Sequence, residues 1–310
     1  MTPQKTSIDW LRFRAQAEPR DILQAMRPMF GPFGDHLGFE FQKSGLFGFR
    51  HGAKVIMAGV PVGRMDYGGE SQRGWVRVDI PGGGCEWVKE WEAVSELEAL
   101  PDAQVKRLDI ALTTWEGQVN HDRVCQAHAD GRFITRGRPP ELTRIEKSEE
   151  RSGRTCYVGT REKSDKFFRA YEKGKELAAK FGARTPGDIT HINGSRIEDI
   201  YRCEVELKAE TRPIPWDVIS RRDQYFAGSY PFCADVLPGV GADILTGSPQ
   251  RMPQMTLAAA LDQVRKQFGS TLYTALQAHQ GDYLAVWDKI VGDKHNPRLQ
   301  EAGVLLVDHD

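Results

Sequence analysis

Hydrophobic and polar residues alternate with a period of two through much of the first two thirds of the chain, then recur at helical spacing beyond it. IDWLRFR, 8 to 14, predicts an opening strand. A helix is expected at about 18 to 30, with Asp21 as its cap and Ile22, Met26 and Met29 at helical spacing. From 37 to 80, LGFEFQ, LFGFRH, KVIMAGV and GWVRVDI are short, aromatic or β-branched, and separated by glycine turns, which predicts an antiparallel meander. PGGGC, 81 to 85, breaks the chain. A helix is expected from Glu86 to about Leu100, with Trp87, Trp91, Val94 and Leu97 on one packed face. RLDIALTTWEG, 107 to 117, then reads as a buried strand, followed by a helix near 118 to 128.

The polar stretch 131 to 155 predicts a long hairpin or mobile loop. TCYVGT and KFFRAYEK are strands joined by REKSD, and KGKELAAKF continues as a helix stopped by Gly182 and Pro186. YRCEVELK, 201 to 208, is the last clear strand. PWDVISRRDQYFA, TLAAALDQVRKQFGSTLYTALQAH and DYLAVWDKIV are helical in pattern, with a Pro/Gly-rich stretch at 231 to 253. The expected class is α+β: an antiparallel β-sheet core flanked by helices over 1–210, then a mostly helical C-terminal region, 211–310, suited to DNA binding or dimerisation.

Composition narrows this little. With 310 residues, 40% hydrophobic and 27% charged, the chain is ordinary globular material. The formal net charge of -1 means that a polyanionic partner must be met by a local basic patch. No stretch approaches the roughly 20 apolar residues of a membrane span, and MTPQKTSIDW lacks a secretion signal's apolar core, so a cytoplasmic protein without a membrane partner is expected. Five scattered cysteines (Cys85, Cys125, Cys156, Cys203, Cys233) without a CxxC pair read as reduced thiols. Eight histidines without an HxH or HxxxH pair give a histidine-built metal site little support.

Chemistry enters through three strands with one polar face each. Because side chains alternate across a strand, Arg107 and Asp109 oppose Leu108 and Ile110. Arg169, Tyr171 and Lys173 oppose Phe168 and Ala170, while Arg202, Glu204, Glu206 and Lys208 oppose Cys203, Val205 and Leu207. If the strands are neighbours, Asp109, Glu204 and Glu206 supply the hard oxygen donors that hold Mg²⁺ or Mn²⁺. Tyr171 can then be a nucleophile assisted by Arg169 and Lys173. Tyr157 is the rival phenol. A solvated outer face is the plain alternative. Residues 131 to 175 hold 13 Lys and Arg against 7 Asp and Glu, a local excess of 6, which suits a DNA backbone.

RLDIA, YVGTREKSDKFFRAYEKGKE and YRCEVELK, in that order, resemble the replication initiation factor family (Rep_trans type) of rolling-circle plasmid and filamentous-phage initiators. RPIPWDVISRRDQYFAGSYPF, 212 to 232, is most similar to the phage branch. The likeness runs over about 9 to 232. It implies a DNA endonuclease and strand transferase that nicks one strand at a replication origin, single-stranded or supercoiled. The intermediate would be a phosphotyrosine, aided by Mg²⁺ or Mn²⁺ on acidic residues. It further implies dimers, with helicase and polymerase supplied by the host. By position, Tyr171 matches the family's tyrosine, with Arg169 and Lys173 beside it. Asp109, Glu204 and Glu206 match its acids, and Arg107, Arg161, Lys166 and Arg202 are the expected DNA contacts. The family often carries a second acid where this chain has Thr113, and the paired histidines of other rolling-circle nucleases are missing.

Overall fold

A computed structural model describes residues 4–146, 153–162, 164–185, 187–245, 257–293, 300–301 and 304–305. The chain divides into two compact units, 1–249 and 250–310.

In the first unit the strands are β1 (Ser7–Ala15), β2 (Leu37–Gln42), β3 (His51–Met57), β4 (Val60–Tyr67), β5 (Val76–Pro81), β6 (Gln104–Thr114), β7 (Leu142–Ile145), β8 (Thr155–Val158), β9 (Lys166–Tyr171), the two-residue pair β10 (His191–Ile192) and β11 (Ser195–Arg196), and β12 (Tyr201–Lys208). Ten of them form one sheet in the order β2-β3-β4-β5-β1-β6-β12-β9-β8-β7, with antiparallel neighbours throughout. The expected class is therefore observed. The meander β2 to β5 is contiguous in sequence, whereas β6, β12 and β9 become neighbours only through long-range pairing.

The helices of this unit are α1 (Pro19–Met26), α2 (Gly82–Cys85), α3 (Trp91–Ser95), α4 (His121–Ala129), α5 (Lys173–Lys180), α6 (Arg222–Ser229) and α7 (Pro231–Val236). One face of the sheet is apolar. Leu11, Phe13, Leu108, Ile110, Val205 and Phe168 are buried there in a single core with Trp216, Phe226 and Phe232. Phe168 meets Phe133 with ring centroids 4.9 Å apart and Phe232 at 5.8 Å, so α7 and the segment after α4 cover this face. Each such side chain contributes roughly 1.5–3 kcal/mol on burial, which holds the non-local strands together.

Several local expectations change. Asp21 lies in the first turn of α1 and does not cap it; Pro19 starts the helix, where its missing N–H costs nothing. The helix ends at Met26 because Pro28 and Pro32 and the left-handed Gly31 (φ 58°) turn the chain into a 3₁₀ path, Arg27–His36. LFGFRH is a loop up to Arg50, with Phe47 and Gly48 at positive φ, and only His51 joins β3. The helix expected from Glu86 is the single turn α3 followed by a 3₁₀ turn, Glu96–Ala99; Val94 and Leu97 are buried as their spacing predicts. β9 stops at Tyr171, so Lys173 opens α5 and is not a strand residue. Within 131 to 155, β7 pairs with β8, while 147–152 lie outside the described residues.

The second unit contains α8 (Leu257–Ala278) and α9 (Tyr283–Ile290). Asp282 caps α9, its carboxylate accepting from the amides of Leu284 and Ala285. Among the described residues, no helix is long and apolar enough to cross a membrane.

Candidate active site

Strand register decides which polar side chains meet. Glu206 pairs with Asp109 across β12 and β6, Glu204 lies opposite Arg169 of β9, and Arg202 lies opposite both Tyr171 and Thr113. All of these side chains rise from the sheet face opposite the core. The three strands are adjacent, and their polar faces coincide.

Two clusters result. In the first, Arg107 holds both oxygens of the buried Asp109, at 2.8 and 2.6 Å, and reaches Glu206 at 3.1 Å. Arg161 binds the same Glu206 oxygen at 2.7 Å, and Arg107 also lies over the Trp10 ring at 4.3 Å. Burial pushes the Asp109 carboxyl up to about 6 against the pull of Arg107, with Glu206 and Glu204 adding to the rise.

In the second cluster the Tyr171 hydroxyl donates to Glu204 Oε1 at 2.8 Å, while Arg169 Nε donates to Glu204 Oε2 at 2.8 Å. Arg169 and Lys173 stand over the Tyr171 ring at 5.2 and 5.7 Å. Burial, and after it Glu204, raise the phenol well above the usual tyrosine range. At rest, Tyr171 is therefore neutral.

Tyr171 opens into a cavity of about 590 Å³. Arg169, Lys173 and Arg202 line it together with Lys180, Asp9, Glu86, Glu176 and the rival phenol Tyr157. Gly82 and Gly83 of α2 form another part of the wall. The PGGGC run is needed for this packing, because a Cβ on Gly84 would lie 1.7 Å from the Val62 carbonyl oxygen. Cys85, at the end of that run, is buried, and burial raises its thiol; it is no nucleophile.

Of the residues singled out from sequence, Tyr171, Arg169, Lys173, Glu204 and Arg202 come together at the cavity; Arg107, Asp109, Glu206 and Arg161 form the adjoining charged cluster. Lys166 does neither. Two residues from Phe168 on β9, it shares the apolar face, where its Nζ donates to the Ser229 carbonyl at 2.5 Å and lies 4.3 Å from the Tyr230 ring. Burial lowers that amine to about 8. Thr113, where an acid was looked for, accepts a 2.9 Å hydrogen bond from Arg202 and so orients it.

Asp9 escaped the sequence reading. In a regular strand it would share the face of Leu11 and Phe13, but the β1–β6 register shifts between Ile8 and Trp10. This bulge turns both Asp9 and Trp10 towards the polar side. Asp9 then meets Arg202 at 3.2 Å, and burial followed by Glu204 raises its pKa. Period-two alternation holds no signal for such a residue.

The carboxylates that could hold a divalent cation are all engaged. Asp109 has both oxygens on Arg107, and Glu206 is engaged by Arg107 and Arg161. A cation there would have to displace guanidinium groups. Glu204 is likewise held by Arg169 and by the Tyr171 hydroxyl, and Asp9 by Arg202, so each of these carboxylates already has a cationic partner that a divalent ion would have to replace. The oxygens of Asp109, Glu204 and Glu206 do not converge within 4.8 Å of one another. Among the described residues only His121, Cys125 and Cys156 bring three ligand atoms that close.

Comparison with known proteins places the site strands within a family match and the fold beside a solved one. Residues 103–242 match the replication initiation factor family, Rep_trans. The matched segment contains β6, β9 and β12, hence Tyr171, Asp109, Glu204 and Glu206, and leaves out Asp9 and Glu86. The fold is similar to that of the rolling circle replication initiator protein from Geobacillus stearothermophilus, at 18% identity and a TM-score of 0.53, over 78% of this chain and 99% of that one. No curated protein matches the chain.

Proposed function

We propose that this Rep_trans chain is a rolling-circle initiator that nicks one DNA strand with Tyr171 as the nucleophile and then transfers it. The observation that carries the reading is the Tyr171–Glu204 hydrogen bond at the edge of a cavity walled by four cations, Arg169, Lys173, Lys180 and Arg202.

The chemistry follows from these groups. A backbone phosphate enters the cavity with its non-bridging oxygens towards Arg202, Lys173 and Arg169, the guanidinium forks taking oxygen pairs. Phosphate charge offsets Arg169, which Glu204 now neutralises, as Asp9 does Arg202 and Glu176 does Lys173, and so frees the Glu204 carboxylate to act as a base. The Tyr171 oxygen forms a bond to phosphorus as its proton passes to Glu204. The 3′ oxygen departs and takes up a proton, which leaves the 5′ phosphate on Tyr171. Attack by a 3′ hydroxyl on that phosphotyrosine reverses the steps and joins strands.

Asp109, Glu204 and Glu206, joined by Asp9, are the carboxylates that would hold Mg²⁺ or Mn²⁺. When bound, such an ion withdraws charge from a phosphate oxygen and aids the leaving group. On the same reading, Arg107 and Arg161 neighbour the DNA path, origin DNA is the partner, and host helicase and polymerase complete replication in the cytoplasm. Division of the chain into a nicking part, 1–210, and a tail that binds DNA or dimerises belongs to this proposal too.

The deciding assay incubates the full chain with supercoiled DNA carrying its origin region and Mn²⁺. A nicked circle with protein covalently attached to the 5′ end is expected. Cleavage that yields free 5′ phosphates, with no protein bound, would mean that a water attacks and Tyr171 does not.

A further inference from the structure

One cluster on the apolar side of the sheet has no part in that chemistry. His121 and Cys125 stand at i and i+4 of α4 and share a helix face. Cys156 of β8 meets them, its Sγ 3.7 Å from Cys125 Sγ and 3.5 Å from His121 Nδ1. One ligand atom from each residue lies within 4.8 Å of the other two, with His121 and Cys156 buried and Cys125 partly so.

These separations are the edges of a tetrahedron around a metal. With Zn–S near 2.3 Å and Zn–N near 2.05 Å, tetrahedral angles set two sulfurs about 3.8 Å apart and a sulfur and nitrogen about 3.6 Å apart. Two further observations concern the groups around the cluster. His121 Nε2 faces Glu146 Oε1 at 3.4 Å and lies 3.8 Å from Cys156 Sγ, so Nδ1, at 3.5 Å, is the nitrogen nearer that sulfur. A carboxylate on the outer nitrogen is how metal-bound imidazoles are usually oriented. Tyr201, on the same sheet face two residues from Cys203, has a buried hydroxyl with no hydrogen-bond partner among the described residues. Cys203 and Cys156 both pair with Ala170 of β9 from its two sides, so Tyr201 shares the sheet face of these thiols. A buried hydroxyl without an acceptor is costly, and a metal-bound thiolate is the kind of acceptor it lacks.

We propose that His121, Cys125 and Cys156 bind one zinc-class ion, with both cysteines as thiolates, His121 through Nδ1, and water at the fourth position. Binding releases the two thiol protons. The ion ties α4 to β8 behind Tyr157, which projects from the opposite face of that strand. It therefore shapes the scaffold and takes no part in the nicking step. Sulfur ligands select zinc over Mg²⁺ or Mn²⁺, so this site is separate from any cation held by Asp9 and Glu204.

The test uses reduced, chelator-stripped full-length protein titrated with Co²⁺ as a spectroscopic stand-in for Zn²⁺. One equivalent per chain is expected, with sulfur-to-cobalt charge-transfer absorption that Zn²⁺ abolishes. Cys125→Ser should lose that absorption, and Glu146→Gln should weaken binding by roughly tenfold. Should Cys125→Ser not fold, mass spectrometry of alkylated wild type decides: Zn²⁺ should protect Cys125 and Cys156 together. Absence of stoichiometric uptake, absorption unchanged by Cys125→Ser, alkylation unaffected by Zn²⁺, or a Cys125–Cys156 disulfide with no metal would each overturn the site.

Discussion

Tyr171 and Glu204 are diagonal neighbours across the β9–β12 pair, and the phenol donates to the carboxylate at 2.8 Å. This one contact sets the resting state of the site. Burial raises the phenol first and Glu204 adds to it; that carboxylate also accepts the hydroxyl's hydrogen bond, and Arg169 holds it from its other side.

Tyr171→Phe should abolish the covalent protein–DNA adduct, with nicking down by at least about 10³-fold, as for loss of a nucleophile. Tyr157→Phe, in the same cavity but without a link to Glu204, should keep the rate within a few fold. Denaturing gels of end-labelled DNA measure both. Equal adduct from wild type and Tyr171→Phe would exclude Tyr171.

Glu204→Gln keeps the shape of the site but removes the proton acceptor. Nicking at neutral pH should fall by about 10²–10⁴-fold, the usual weight of a positioned base. Asp9→Asn should act differently, raising the Mn²⁺ concentration needed for half-maximal nicking by at least tenfold while saturating Mn²⁺ restores most of the rate. If Asp9→Asn left the Mn²⁺ dependence unchanged, Asp9 would not be a ligand.

Asp109 imposes a pH dependence on stability whose sign is unusual for a carboxylate. Burial first, with Glu206 and Glu204 in support, sets its folded value at about 6, above the unfolded value near 3.9. Between these values the folded state binds more protons than the unfolded one. Its contribution is therefore intact below about pH 4 and is lost as pH rises through 6, by up to about 3 kcal/mol. Urea unfolding of wild type and Asp109→Asn from pH 4 to 7 should show the wild type losing ground steadily over that range. A constant difference between the two proteins would contradict it.

Gly84→Ala should destabilise the fold by about 3 kcal/mol, the upper end of overpacking costs, since its Cβ would meet the Val62 carbonyl oxygen at 1.7 Å. Gly83→Ala, whose Cβ would find open space, should change little. Thermal melts of the pair separate packing of α2 from a general dislike of substitution in the glycine run.

How much of this was legible in the sequence differs from element to element. The meander β2 to β5 could be read locally because its turns and alternation lie in consecutive residues. The polar faces of β6, β9 and β12 were equally readable, for alternation is a property of each strand alone. The packed turn around Trp91 was misread as a long helix because Val94 and Leu97 have the spacing of either. Lys173 kept its place at the cavity by a different route, as the first residue of α5. Lys166 went to the wrong side because a charged side chain at an apolar-parity position gives no hint that Tyr230 and Ser229 will receive it.

Taken alone, the order of residues determined which side chains stand on which face of each strand, since that depends only on the geometry of a few neighbouring bonds. It determined the α+β class as well, and marked Tyr171, Arg169 and Lys173 together with Asp109, Glu204 and Glu206 as candidates on polar faces. Only the tertiary structure decided that β6, β12 and β9 are adjacent, that a bulge brings Asp9 to Arg202, and that His121, Cys125 and Cys156 converge. Those are matters of register and packing between segments far apart in the chain. They follow from the free energy of the whole sheet and its core, which no local pattern encodes.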